Sequence, residues 1–214
     1  MPNYVYNTLT IIGKKDRITA FVNKARGVRK QTGDQLGSIN YSTPIEESSF
    51  EFNCLVPLPE EYSSVPYSPN GYEMEFQTWG VKWGAFDVEG PIVTNSSATY
   101  TFTCAWNSPE IFCCRLSEQW PDLLFVVSYG GEGPTLGRFT LFNGEYIDSI
   151  DEAANESPRY PEGDDISENE EEKWSEAFNA WEQQYRDVHK SYVVSMIEQH
   201  ARTEELAVPN LEDL

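Results

Sequence analysis

A chain of 214 residues is long enough to bury a sizeable core, as one domain with a large appendage or as two small domains. Its formal net charge of minus 20 is unevenly placed: residues 1–144 carry 15 acidic and 10 basic side chains, residues 145–214 carry 20 and 5. A surface this acidic disfavours direct binding to nucleic acid or anionic lipid and favours basic partners, cations or solubility. The N-terminus has no charged leader and no segment reaches about 18 unbroken apolar residues, so a soluble cytoplasmic protein without membrane contact is expected. Cys54, Cys104, Cys113 and Cys114 show no repeated pair spacing, and His189 and His200 lie far from them. That pattern argues for reduced thiols and against a zinc site or disulfide framework. No cofactor is expected.

Tyr4 to Ile12 alternates polar and apolar residues and reads as a strand ending at Gly13. Asp16 is the expected N-cap of a helix to about Arg26, whose inner face is Ile18, Phe21, Val22 and Ala25. Lys14, Lys15, Arg17, Lys24, Arg26, Arg29 and Lys30 cluster on or beside it, as a solvated face or a docking face for an acidic segment. Gln31 to Ser49 reads as loop with a short extended piece near Ile39 to Tyr41. Phe50, Phe52, Cys54 and Val56 alternate with Glu51, Asn53 and Leu55 and predict a second strand, and Tyr62 to Asn70 a further loop.

The stretch from Gln77 to Val88 carries the densest fold signal. A short helix over Gly71 to Thr78, stopped by Gly80, leads Trp83, Ala85 and Phe86 into a central strand. Gly90-Pro91 opens a long loop to a partner strand over Ala98 to Trp106. Trp79, Trp83, Phe86 and Trp106 are expected in the core, since each buries a large apolar surface. Ser108-Pro109 starts a helix that runs to Trp120. Leu123 to Tyr129, Gly137 to Phe142 and Tyr146 to Ile150 read as strands, the last two joined by a tight Asn143-Gly144 turn. The order implies an α+β fold: a split β-α-β antiparallel sheet with helices on one face.

Four blocks carry a family resemblance: Pro2-Asn3-Tyr4 with Asn7, Leu9, Ile11 and Gly13; Leu55 to Glu60; Trp79-Gly80-Val81-Lys82-Trp83; and Phe102 to Pro109 with Ala105-Trp106. In the same order, they resemble the YubB-type ferredoxin-like domain of phage and conjugative-plasmid proteins, over about residues 1–145. The resemblance implies a ferredoxin-like fold without an iron-sulfur cluster, in a mobile-element context, and no activity. Tyr4 stands where such proteins often carry Trp, and the acidic tail is an addition.

From Glu145 to Glu172 there are 12 acidic residues and one basic, Arg159. The expected organisation is a domain over residues 1–150, an acidic linker over 151–167, an amphipathic helix over 168–205 and a tail over 206–214. Ser167 caps the helix, and Glu168, Glu170, Glu171 and Glu172 suit the positive end of its dipole. Trp174, Phe178, Trp181, Tyr185, Val188, Tyr192 and Met196 then recur at heptad-like steps. Such a seam must be buried, against the chain's own sheet, in a homodimer, or in a groove of another protein.

The acidic residues, chiefly Asp151, Glu152, Glu162, Asp164, Asp165, Glu168, Glu170, Glu171 and Glu172, have no pocket signal or partner nucleophile, so no catalytic residue is assigned. Carboxylates every few ångströms imitate duplex DNA, which carries roughly one charge per 1.7 Å of axis. The expectation is a non-enzymatic accessory protein that engages a basic host protein, as a DNA mimic blocking a nucleic-acid-acting defence factor. The alternative is an oligomeric scaffold dimerising through the helix seam.

Overall fold

The computed structural model describes residues 3–30, 44–60, 71–131, 136–151, 158–161 and 167–204. Its strands are β1 (Tyr4–Ile12), β2 (Gly27–Lys30), β3 (Pro44–Ser48), β4 (Lys82–Val93), β5 (Ser97–Ala105), β6 (Leu124–Gly131), β7 (Leu136–Phe142) and β8 (Glu145–Asp151). Its helices are α1 (Lys15–Ala25), α2 (Phe52–Leu55), α3 (Tyr72–Trp79), α4 (Glu110–Gln119) and α5 (Glu168–Glu204). Six strands form an antiparallel sheet in the order β4-β5-β1-β6-β7-β8, and β2 pairs with β3 in a separate ribbon. The fold is thus α+β with a long C-terminal helix.

Alternation along β1 divides the protein into layers. Leu9 and Ile11 face one side, level with Tyr100 and Ala98 of β5 and with Val127 and Phe125 of β6. That side is covered by the first four helices, through Ile18, Phe21, Phe52, Leu55, Trp79, Phe112 and Leu116. The opposite face presents Ile12, Leu124 and Val126, against which Val193 and Ile197 of α5 are buried. At 37 residues, α5 is about 55 Å long, well beyond the span of any one strand.

Several local expectations meet a different outcome. Phe50 to Val56 is not a strand: α2 occupies it. Phe50, Phe52, Leu55 and Val56 are all buried, and strict alternation would turn Leu55 away from the other three, whereas the turn of α2 keeps Phe52, Leu55 and Val56 on one face. The Phe52 ring stacks on Phe112 at 3.6 Å and meets Trp79 edge-on at 5.7 Å. Pro44–Ser48, within the segment assigned to a loop, forms β3 and pairs with β2, which follows α1 directly; the extended piece near Ile39 to Tyr41 and the Tyr62 to Asn70 loop lie outside the described residues.

The strand holding Trp83, Ala85 and Phe86 is β4, an edge strand and not a central one. Gly90-Pro91 lies inside it, and its connection to β5 is a tight turn, with Thr94 N–H donating to Ser97 O at 2.9 Å. Neither α1, where Asp16 is the expected N-cap, nor α4, where Ser108 precedes the first turn, has a side-chain cap. Lys14 precedes α1, placing Asp16 in its first turn, and the Ser108 hydroxyl donates to Asn7 Oδ1 at 2.9 Å while Pro109 takes the cap position of α4.

Because Phe52 lies between Phe112 and Trp79, Phe52→Ala opens a cavity in the main core. It is expected to lower unfolding stability by about 3–5 kcal/mol, read as a lower urea midpoint at unchanged slope.

Candidate functional site

The C-terminal part of α5 is fastened to the sheet by polar as well as apolar contacts. Arg138, only 5% exposed, donates from Nη2 to Asp148 Oδ2 at 3.0 Å. Its guanidinium lies 3.6 Å from the ring centroid of Tyr192, and the Tyr192 hydroxyl shares a 2.9 Å hydrogen bond with Thr140 Oγ1. One turn earlier on the helix, burial and the neighbouring Arg138 charge push His189 down to about 4. His200 reaches the Phe142 ring, 6.3 Å between centroids.

The buried stripe of α5 departs from the expected seam. Tyr192 and Met196 pack at the sheet, yet the residues most buried there are Val193 and Ile197, outside the heptad-like set, and Val188 within it is 52% exposed. A straight helix drifts by about 20° per heptad against a 3.5-residue repeat, so the buried stripe leaves the heptad positions along α5. Tyr185 is half-buried. Trp174, Phe178 and Trp181 form a ladder of rings 5.1 and 5.6 Å apart. Tyr160 meets Trp174 edge-on at 4.9 Å, and Trp174 Nε1 donates to Pro158 O at 3.0 Å.

At the other end of α5 the carboxylates reach solvent. Ser167 begins the helix as expected, its N–H and hydroxyl both donating to Glu170 Oε2, at 3.1 and 2.6 Å. These bonds, the hydroxyl's foremost, hold the Glu170 carboxyl below the usual range. Glu168, Glu171 and Glu172 are exposed beside it. Asp151 closes β8 opposite Gly137. Glu152, Glu162, Asp164 and Asp165 lie outside the described residues.

Of the four aromatics expected in the core, only Trp79 is there, its Nε1 donating to Val56 O at 2.8 Å. Trp83 and Phe86 are half-buried and Trp106 is 40% exposed. They belong to a surface cluster in which Lys82 Nζ sits 4.7 Å from the Trp83 ring, 5.3 Å from Trp106 and 5.7 Å from Tyr72. Trp83 and Trp106 both adopt left-handed backbone, φ 73° and 77°, an outlier conformation for bulky residues. Buried Glu75 accepts from Trp83 N–H at 2.9 Å, helping to hold that geometry. Lys82 stood inside the tryptophan box but was given no role from the sequence, and Glu75, four residues before the box, was missed.

The basic face of α1 is partly used within the chain. Arg17 makes a bidentate pair with Asp122 and lies 4.8 Å from the Trp120 ring centroid. Its hydrogen bond holds the Asp122 carboxyl below the usual range. The four cysteines are free thiols, and burial pushes Cys113 well above its ordinary value. Among the described residues no group of three or more His, Cys, Asp or Glu side chains is arranged to hold a metal ion, and no helix is long and apolar enough to cross a membrane.

No family model matches the chain, and no curated protein matches it. Among solved structures it is similar to the crystal structure of the protein api92 from Yersinia pseudotuberculosis, described by the family model DUF1281. The TM-score is 0.53 at 8% identity, over 72% of this chain and 99% of that one. At that identity the likeness is one of fold alone, and it does not bear on the YubB-type family.

The α5 clasp has a pH signature. Folding lowers the His189 pKa from 6.5 to about 4, so between those values the unfolded chain binds the proton more readily. Stability is then lost as pH falls from 6.5 through 4. His189→Gln is expected to flatten that part of the profile, as urea midpoints at pH 7 and pH 4.5 would reveal; an unchanged profile would exclude His189 as its source.

Proposed function

We propose that the protein is a non-enzymatic accessory binding protein of phage or plasmid origin, whose acidic C-terminal region engages a basic host protein that handles nucleic acid. One observation carries this reading: Glu168, Glu171 and Glu172 stand exposed on the first turns of α5, while its sheet anchors Tyr192, Val193 and Ile197 lie further along the helix. Even the nearest of these, Glu172 and Tyr192, are nearly six turns apart, at about 3.6 residues per turn. A helix held to the sheet at one end presents these charges to solvent at a defined spacing. Such a surface competes with DNA phosphates for a basic groove.

Kinship with the YubB-type family and a ferredoxin-like, split β-α-β topology are part of the same proposal. The order β4-β5-β1-β6, with α1 and α4 in the two crossovers, supports the topology, and the four sequence blocks support the kinship. A scaffold dimerising through the aromatics of α5 is the second reading. The contacts of Trp174 with Tyr160 and Pro158 of the same chain favour the first.

The test keeps the full chain, because removing residues 145–214 also strips β8 and the α5 cover from the sheet. Wild-type protein and a Glu168→Gln, Glu171→Gln, Glu172→Gln variant are used to capture host proteins at low and high salt, followed by mass spectrometry. A basic nucleic-acid-acting protein held by the wild type, weakened by salt and lost with the variant is the expected result. Equal capture by both chains would sink the reading, and recovery of only the protein itself would favour the scaffold.

A further inference from the structure

The two edges of the sheet differ. The β4 edge is interrupted by three register shifts against β5, and Pro91 within it has no N–H to offer. Bulges and prolines are the usual means by which an edge strand avoids pairing with another chain. The opposite edge, β8, has one register shift and contains no Pro, Lys or Arg. Among the described residues its backbone bonds only within the β7 ladder. Two large side chains on it stand open, Tyr146 at 48% and Ile147 at 55% exposure.

Several carboxylates gather around this edge. Glu145 is exposed on β8, and Glu110 and Glu118 are exposed on α4 beside its start, Glu118 lying against Gly144 and Glu110 adding, after burial and the Cys114 hydrogen bond, to the upward push on the Tyr146 hydroxyl. Asp148 is paired with Arg138. A second copy of the chain is a poor occupant. Antiparallel self-pairing over the whole strand would set Glu145 opposite Asp151 and Asp148 opposite itself, and like charges directly across a ladder are destabilising.

We propose that β8 is a strand-addition edge that accepts an extended, basic segment of the partner, one alternating apolar residues with Lys or Arg. Backbone bonds to Glu145–Asp151 supply affinity that is independent of sequence, and side chains on alternate positions meet the carboxylates and the exposed Tyr146 and Ile147. This rests on the reading of a basic partner and adds where, and in what conformation, part of it binds.

The probe is an acetylated Val-Lys alternating peptide matched in length to the seven residues of β8, titrated into the full chain while backbone amides are followed by NMR. A second peptide of identical sequence, methylated on alternate backbone nitrogens, keeps every charge but cannot complete a ladder. The first peptide is expected to shift and protect amides of 145–151, and the methylated one to bind at least about tenfold more weakly. Ser149→Lys, at an exposed edge position, is expected to weaken the first peptide without altering the rest of the spectrum. Equal affinity of both peptides, or shifts confined to the start of α5, would overturn the edge proposal and leave the acidic-surface reading intact. Absence of binding by either peptide also overturns it, while the α5 variant capture decides the broader reading independently.

Discussion

A strand that is apolar on both faces has to be covered twice. Leu124, Phe125, Val126 and Val127 of β6 are all buried, so the sheet cannot leave one face to solvent there. Phe125 and Val127 lie under the first helices, and Leu124 and Val126 lie under Val193 and Ile197 of α5. Fully burying each such side chain is worth about 1.5–3 kcal/mol. The long helix is therefore part of the fold and also the carrier of the exposed carboxylates.

The same interface contains a charge removed from water. Arg138 has the Asp148 carboxylate on one side and the Tyr192 ring against its guanidinium plane. Burying an unpaired cation is costly, and pairing with stacking offsets that cost in a geometry few other arrangements satisfy. Apolar contacts alone would tolerate a helix shifted by a turn. The Arg138, Tyr192 and Thr140 contacts define one position for α5 and with it the direction in which its acidic end projects.

The surface cluster around Lys82 follows a different logic. Trp83 stands on β4 and Trp106 just past the end of β5, at the end of the sheet where Lys82 pairs with Ala105. Their left-handed backbone turns them away from the strand alternation that would have sent Trp106 inward with Tyr100, Phe102 and Cys104. Buried Glu75 binds one of the strained amides. Strain of this kind persists only where surrounding contacts over-determine it.

Periodicity along the chain determined β1, β6, β7 and β8, the inner face of α1, the Asn143-Gly144 turn, the Gly80 helix stop and the extent of α5, because each is a local pattern of side-chain volume and backbone freedom. The acidic start of α5 was equally legible, being a matter of charge count and capping chemistry. Tertiary structure alone decided that Phe52 sits in a helical turn, that β4 is an edge, that Trp106 faces outward, and that α5 buries Val193 and Ile197 in place of Val188. Those outcomes depend on which distant residues come opposite one another, as Lys82 meets Ala105 and Tyr192 meets Thr140. A local alternation specifies two faces of an element, but only its packed neighbours select which face is inside.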